Sequence, residues 1–333
     1  MAKTRNFSSW YARMVALSEV RLADPMPATD DELDAWIIRV RARLEKLLEP
    51  WPAPVPLEVE VTESVQTPAY RRDRIVFDSE ANMSVPAYLL VPHGRNEPGP
   101  AVLAIHGHGP GKSQAVGLER TAMPNADYAH RLAERGYVVL APDLRCFGER
   151  LDDNPEDHYA CDTNLVHAYM AGVSPLTENL FDLRRSIDVL EQTGLVDPHR
   201  IGVVGLSLGG TCALFLAAVD ERVAAAVVSG YFSSWAEAHK MPWNMCGSQV
   251  LPGMLGQIEH IDLASLIAPR PVLFETGTED LIFPLGAATE AFGQLKRVYE
   301  HLGNPEGVQH DVFEGDHQWH GVDAYPFLDR WLR

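Results

Sequence analysis

The chain has 333 residues, 46% hydrophobic and 22% charged, an ordinary globular balance with enough apolar material for a large core. A formal charge of −18 argues against nucleic acid and anionic membrane surfaces as partners, since both are bound through dense Lys and Arg. The sequence has no eighteen-residue apolar run, no apolar core in MAKTRNFSSWYARM and no C-x-x-C spacing among Cys146, Cys161, Cys212 and Cys246, so a cytoplasmic protein with reduced thiols, no metal site and no membrane span is expected.

Residues 1–56 read as a helical leader. Thr29-Asp30-Asp31-Glu32 has the form of a capping box, and Leu33, Ile37, Val40, Leu44 and Leu47 come after it at helical spacing. Pro50, Pro52, Pro54 and Pro56 end that helix and stiffen its link to the rest of the chain. Residues 57–333 read as one catalytic domain. Arg74–Phe77 and Val85–Val91 are predicted to pair as a hairpin. Ala101–Gly107 (AVLAIHG) is an apolar run suited to a buried strand, and a helix over Asn125–Arg135 comes next, closed by Gly136. Tyr137–Asp143 (YVVLAPD) is the next strand. Cys146–Thr177 is polar and lies after a strand, so it is expected to border the site. Leu180–Gln192 is helical, with Leu183, Ile187 and Leu190 on one face and Gly194 past its end. A strand over Arg200–Leu206 (RIGVVGL) leads into a helix over Leu208–Val219. Val223–Ser229, Pro271–Thr276 and Gln309–Phe313 are further strands, with helices over Ala287–Leu302 and Val322–Leu332. Strands apolar on both faces and alternating with helices imply the α/β class, a mostly parallel sheet of about eight strands covered on both sides. Residues 231–262, rich in Trp, Met, Pro and Gly, read as a lid-like insertion. Trp235, Met241 and Trp243 are its candidates for lining a substrate pocket.

Gly205-Leu206-Ser207-Leu208-Gly209 matches G-x-S-x-G between a strand and a helix, the context that a nucleophile elbow requires. Two other glycine patterns fail. Gly202 to Gly209 lacks the G-x-G-x-x-G spacing of a dinucleotide site, and His106 stands where a P-loop ending in Lys112-Ser113 needs glycine. Serine is a weak nucleophile and needs a base, itself oriented by an acid. After an elbow of this kind the chain order is Ser, Asp or Glu, then His. The strand PVLFET delivers Gly277-Thr278-Glu279-Asp280 to the carboxyl edge of the sheet, and QHDVF delivers Glu314-Gly315-Asp316-His317 to the same edge. Asp280 is assigned as the acid, with Glu279 and Glu275 as lesser candidates, and His317 as the base, with His320 as its rival. The oxyanion donors expected are the backbone N–H groups of Leu208 and of His108, the latter in the loop His106-Gly107-His108-Gly109. The side chains of His106 and His108 are expected to shape that loop, and no third ligand marks them as a metal site.

With these motifs in this order, the chain resembles the serine esterases of the α/β-hydrolase superfamily, near the dienelactone-hydrolase-like and acetyl-xylan-esterase-like branches. The resemblance runs from about Ile75 to the C-terminus. It rests on His106–Gly109, Asp143–Arg150, Gly205–Gly210, Ile267–Pro271, Gly277–Asp280 with Phe283-Pro284, and Glu314–His317. It implies an α/β-hydrolase fold and carboxylic ester hydrolysis through an acyl-enzyme, with no cofactor. It implies a Ser207–His317–Asp280 triad acting on small or sugar (acetyl) esters. Dienelactone hydrolases proper carry cysteine where this chain has Ser207, and haloalkane dehalogenases carry aspartate. A peptidase or amidase of the same fold, or a non-catalytic binding protein on this scaffold, are the alternatives. The helical leader offers a docking face, and a homodimer is the expected assembly.

Overall fold

The computed structural model describes residues 6–20, 24–152, 160–238 and 245–333. Among them one nine-stranded sheet forms from β1 (Val59–Gln66), β2 (Tyr70–Glu80), β3 (Met83–Pro92), β4 (Gly99–Ile105), β5 (Val138–Pro142), β6 (Val196–Leu206), β7 (Val223–Ser229), β8 (Val272–Gly277) and β9 (Val308–Phe313). Its spatial order is β1-β2-β3-β5-β4-β6-β7-β8-β9. The pairings from β1 through β2 and β3 to β5 are antiparallel. Those from β5 through β4, β6, β7 and β8 to β9 are parallel. All parallel strands therefore point their carboxyl ends at one edge, where the loops carrying the chemistry gather.

The helices are α1 (Phe7–Val20), α2 (Leu33–Leu48), α3 (Lys112–Ala115), α4 (Tyr128–Glu134), α5 (Ala160–Ala171), α6 (Pro175–Gln192), α7 (Leu208–Val219), α8 (Trp235–Ala238), α9 (His260–Ser265), α10 (Leu285–His301) and α11 (Ala324–Leu332). Every residue of β4 and β5 is buried, as strands covered on both faces must be. Side chains alternate between two cores because successive residues of a strand point to opposite faces. Leu103 and Ile105 of β4 join the core formed with α2, α6, α7 and α9. Val102 and Ala104 join the core formed with α4 and α11.

The α/β architecture is the one expected, with differences at the periphery. The ninth strand is β1, which the sequence reading did not assign. It is an edge strand with no buried residue, so no strong apolar alternation marks it. The capping box at Thr29 does not form: Thr29 makes no side-chain cap hydrogen bond, and a 3-10 turn over Asp30–Glu32 intervenes before α2. The polar Cys146–Thr177 segment contains α5 and the first residues of α6, which begins at Pro175 rather than Leu180. Helix α2 lies in the main core: Leu33, Trp36, Val40, Leu44 and Leu48 are all buried there. The Arg41 guanidinium donates to the carbonyls of Ala218 and Leu266, at 3.3 and 3.4 Å. Among the described residues no helix is long and apolar enough to cross a membrane.

Candidate active site

Strand β6 turns into α7 through Ser207, whose φ of 60° and ψ of −118° are rarely adopted by residues other than glycine. Such a conformation costs about 1–3 kcal/mol and persists only when neighbours enforce it. Here the Ser207 N–H donates to Ser229 O at 3.0 Å, and Thr211 N–H donates to Ser207 O at 2.9 Å. Leu208 opens α7, so its N–H belongs to the helix end whose donors have no partner within the helix.

The loop after β4 lies directly against this turn. A Cβ at Gly107 would stand 2.8 Å from Leu206 O and 3.4 Å from Ser207 Cβ, so only glycine allows this close approach of the loop to the elbow. His106 holds the loop from beneath. Its Nε2 accepts the Leu144 N–H at 3.0 Å, which leaves Nδ1–H to donate to Gly107 O at 2.7 Å. Burial pushes its pKa down, in keeping with a neutral ring. Asp143, just past β5, fastens the next stretch. It accepts from Lys112 N at 2.7 Å, Lys112 Nζ at 2.5 Å and Glu149 N at 3.0 Å. Lys112 also pairs with Glu149, which pairs with Arg74. The residue that resembled a P-loop lysine is therefore a buried structural cation.

The acid and histidine loops clasp each other. Thr278 N–H donates to Phe313 O at 2.9 Å and Glu279 N–H to Gly315 O at 2.8 Å. Asp280 is buried, and its Oδ1 accepts from Ile282 N and Phe283 N at 2.8 and 3.0 Å. Its Oδ2 meets His317 Nδ1 at 2.8 Å. A carboxylate there makes Nδ1 the protonated nitrogen and leaves the lone pair on Nε2. That Nε2 is buried and has no hydrogen-bond partner among the described residues. The ring lies on Gly230, where a Cβ would come within 2.9 Å of its Cε1. Gly230 is next to Ser229, the residue that holds the Ser207 N–H. Ser207, His317 and Asp280 thus come to one edge, with the loop of His108 beside them.

The rivals are placed elsewhere. Glu279 is exposed. Glu275 is fully buried, and its carboxylate accepts from Gly321 N at 2.7 Å and His320 N at 3.2 Å. Burial raises its pKa to about 7. It clamps the histidine loop rather than orienting His317. His320 has a carboxylate of its own, Asp311, at 2.6 Å, and stacks on Phe313.

One pocket assignment needs correction. Trp235 is 1% exposed, donates its indole N–H to Ile258 O at 2.6 Å and packs edge-on to His260. It is a core residue because α8 turns inward at once after β7, and Tyr231 and Phe232 are buried with it. Met241 and Trp243 lie outside the described residues. The sequence reading also missed the Glu275 clamp, the Asp143–Lys112 pair and the presence of Cys161 and Cys246 beside His108. Each depends on partners 31 or more positions apart, and only a glutamate inside an otherwise apolar strand gave any hint.

A hydroxyl on a strained turn at the sheet edge, an imidazole with a fixed tautomer and two loop ends rich in N–H donors can together activate a nucleophile and receive negative charge. Comparison with known proteins gives the family and the fold. Residues 85–297 match the model of the "Dienelactone hydrolase family". The chain is 27% identical over 305 residues to the "Putative hydrolase YtaP" of Bacillus subtilis (strain 168), covering 88% of this chain and 98% of that one. Among solved structures, a "putative acetyl xylan esterase" from Bacteroides fragilis superposes with a TM-score of 0.74 at 20% identity, over 93% of this chain and 83% of that one. A glucuronoyl esterase from Solibacter usitatus does so with a TM-score of 0.66 at 14% identity, over 92% and 93%. At these identities the structural likeness shows the α/β-hydrolase fold.

Proposed function

The chain belongs to the dienelactone hydrolase family, and on that premise we propose that it hydrolyses carboxylic esters through an acyl-enzyme formed on Ser207. The observation that carries this reading is the buried Nε2 of His317, which has no hydrogen-bond partner among the described residues and whose ring is fixed by Asp280 and lies at the elbow bearing Ser207.

His317 takes the hydroxyl proton at Nε2 as Ser207 Oγ attacks the ester carbonyl. Asp280 keeps the proton on Nδ1 and stabilises the imidazolium. The N–H groups of Leu208 and His108 receive the oxyanion. Collapse breaks the C–O bond, and His317 returns its proton to the departing alcohol. Water, deprotonated by the same nitrogen, then attacks the acyl-enzyme and frees the acid and Ser207. On this reading the chain supplies nucleophile, base, orienting acid and oxyanion donors, and solvent supplies the water. Small or sugar acetyl esters are the proposed substrates, supported by the names of the neighbours of this fold, which include acetyl xylan and glucuronoyl esterases.

A fluorophosphonate probe tests the assignment. One label per folded chain on Ser207 is expected, lost in Ser207→Ala together with a fall in kcat of about 10⁶. Absence of label on folded protein overturns it. Rates on acetyl esters, longer acyl esters and anilides then rank acyl size and separate an esterase from an amidase.

A further inference from the structure

Two groups of metal-ligating side chains occur among the described residues: Glu275 with Asp311 and His320, and His108 with Cys161 and Cys246. The first is already satisfied internally. Glu275 is taken up by two backbone N–H groups, and Asp311 and His320 bond each other. The second is different in its chemistry. We propose that His108, Cys161 and Cys246 form a binding site for one thiophilic d¹⁰ cation, with Zn²⁺ as the representative ion.

The three donors come from three separate parts of the chain: the loop after β4, the first turn of α5 and the turn before Gly247. Their ligand atoms all lie within 4.8 Å of one another. Two sulfurs around a tetrahedral zinc with Zn–S of about 2.3 Å stand about 3.8 Å apart, so small side-chain rotations close the site. Cys161 and Cys246 are buried, at 1% and 7% exposure.

The surroundings hold these ligands in place. Gly247 N–H donates to Asp162 Oδ1 at 2.9 Å, tying the Cys246 turn to α5. Cys246 N–H donates to Gln249 Oε1 at 3.2 Å, and Gln249 Nε2 donates to Thr211 Oγ1 at 2.8 Å on the first turn of α7. The His108 ring meets Phe147 edge-on at 5.5 Å. Fixed outer contacts of this kind orient metal ligands and preserve affinity.

Two sulfurs and one imidazole select a soft or borderline ion and disfavour Mg²⁺ or Ca²⁺, which take oxygen. Binding releases two thiol protons to solvent, and the two thiolates neutralise a divalent charge. Three protein ligands leave the fourth tetrahedral position for water or a substrate group. The inference stands on this cluster alone and does not require the catalytic assignments made above.

The test uses the full chain, reduced and stripped with a chelator, and titrated with Zn²⁺ against a chromophoric zinc indicator. One equivalent bound per chain is expected. Co²⁺ in place of Zn²⁺ should give tetrahedral d–d bands and a thiolate-to-metal charge-transfer band whose intensity corresponds to two sulfurs. Cys161→Ser and Cys246→Ala, each checked for folding by circular dichroism, should weaken binding on the order of 100-fold or more, and His108→Ala likewise. Cys212→Ser, in the buried interior of α7, should bind as the parent does. Wild-type protein that takes up no Zn²⁺, or whose Co²⁺ complex lacks the thiolate band, overturns the proposal without recourse to any variant. Binding retained in folded Cys161→Ser and Cys246→Ala also overturns it.

Discussion

Two histidines of one loop each carry a carboxylate partner, and their neighbours tell them apart. His317 pairs with Asp280 and lies on Gly230 at the Ser207 elbow, whereas His320 pairs with Asp311 and stacks on Phe313 of β9. On the proposed mechanism only the first pair is catalytic. Asp280→Asn should lower kcat by about 10⁴, because an amide no longer holds His317 in the required tautomer. Asp311→Asn should leave kcat nearly unchanged. Steady-state kinetics of the two variants on one acetyl ester checks this, and the reverse ranking would move the base to His320. Sequence position favoured His317 and Asp280 over their rivals, yet it could not show that His320 has a carboxylate of its own. Asp311 lies inside β9 and reads as an ordinary alternating strand residue.

At the scale of elements, the site depends on the loops after β4 and β5, which are fastened from below. Asp143 joins them through Lys112 and Glu149, and both members of the Asp143–Lys112 pair are almost fully buried. Removing one partner of a buried ion pair leaves the other charge uncompensated, at a cost of about 3–5 kcal/mol. Asp143→Asn should therefore lose stability of that size in urea unfolding, and kcat/KM should fall because the loop carrying His108 begins only a few residues before Lys112. A variant as stable and active as the parent would remove Asp143 from this role. The elements themselves were legible wherever strands are apolar on both faces: β6, α7 and β7 end within a residue or so of their predicted C-termini. Strand β1 and helix α5 were not, because one is an edge strand and the other buries only Cys161 among its assigned residues. Neither carries the one-sided apolar stripe that sequence periodicity detects.

At the scale of the molecule, the leader helix and the sheet share one core. Trp36 is fully buried and donates its indole N–H to Asp24 O at 2.9 Å. Trp36→Ala should destabilise the fold by about 3–5 kcal/mol. Thermal unfolding should move to lower temperature as one transition, whereas an early separate step would mark the leader as an independent unit. Buried carboxyls set the pH dependence. Burial raises both Glu275 and Asp262 to about 7, well above the ordinary carboxylate range. The protonated form is thus favoured in the folded state, and this contribution is full below the ordinary carboxylate pKa and is lost as pH rises through about 7. Asp182 and Asp220 are held low by Arg150, Arg145 and Arg222 despite their burial, and they lose their contribution only in acid. Stability should therefore peak on the acid side of neutrality. Glu275→Gln should reduce the fall in Tm between about pH 5 and about pH 8.5, measured by scanning calorimetry, and an unchanged slope would contradict the sign.

What the sequence determined by itself was the order of buried strands and helices and the position of the Ser207 elbow within it. Both have local causes: apolar runs that only a covered parallel sheet can bury, and a turn that glycines permit. Residues in the loops after β8 and β9 could be named as acid and base because parallel strands deliver their ends to one edge. Only the tertiary structure decided which carboxylate meets which histidine, that Trp235 faces inward, that α2 completes the main core, and that Cys161 and Cys246 converge on His108. Those pairings join residues far apart in the chain, and no local pattern encodes a contact made by two loops arriving from different strands. The elbow was written in five residues, whereas the neighbourhood around Ser207 exists only once the loops have gathered at the carboxyl edge of the sheet.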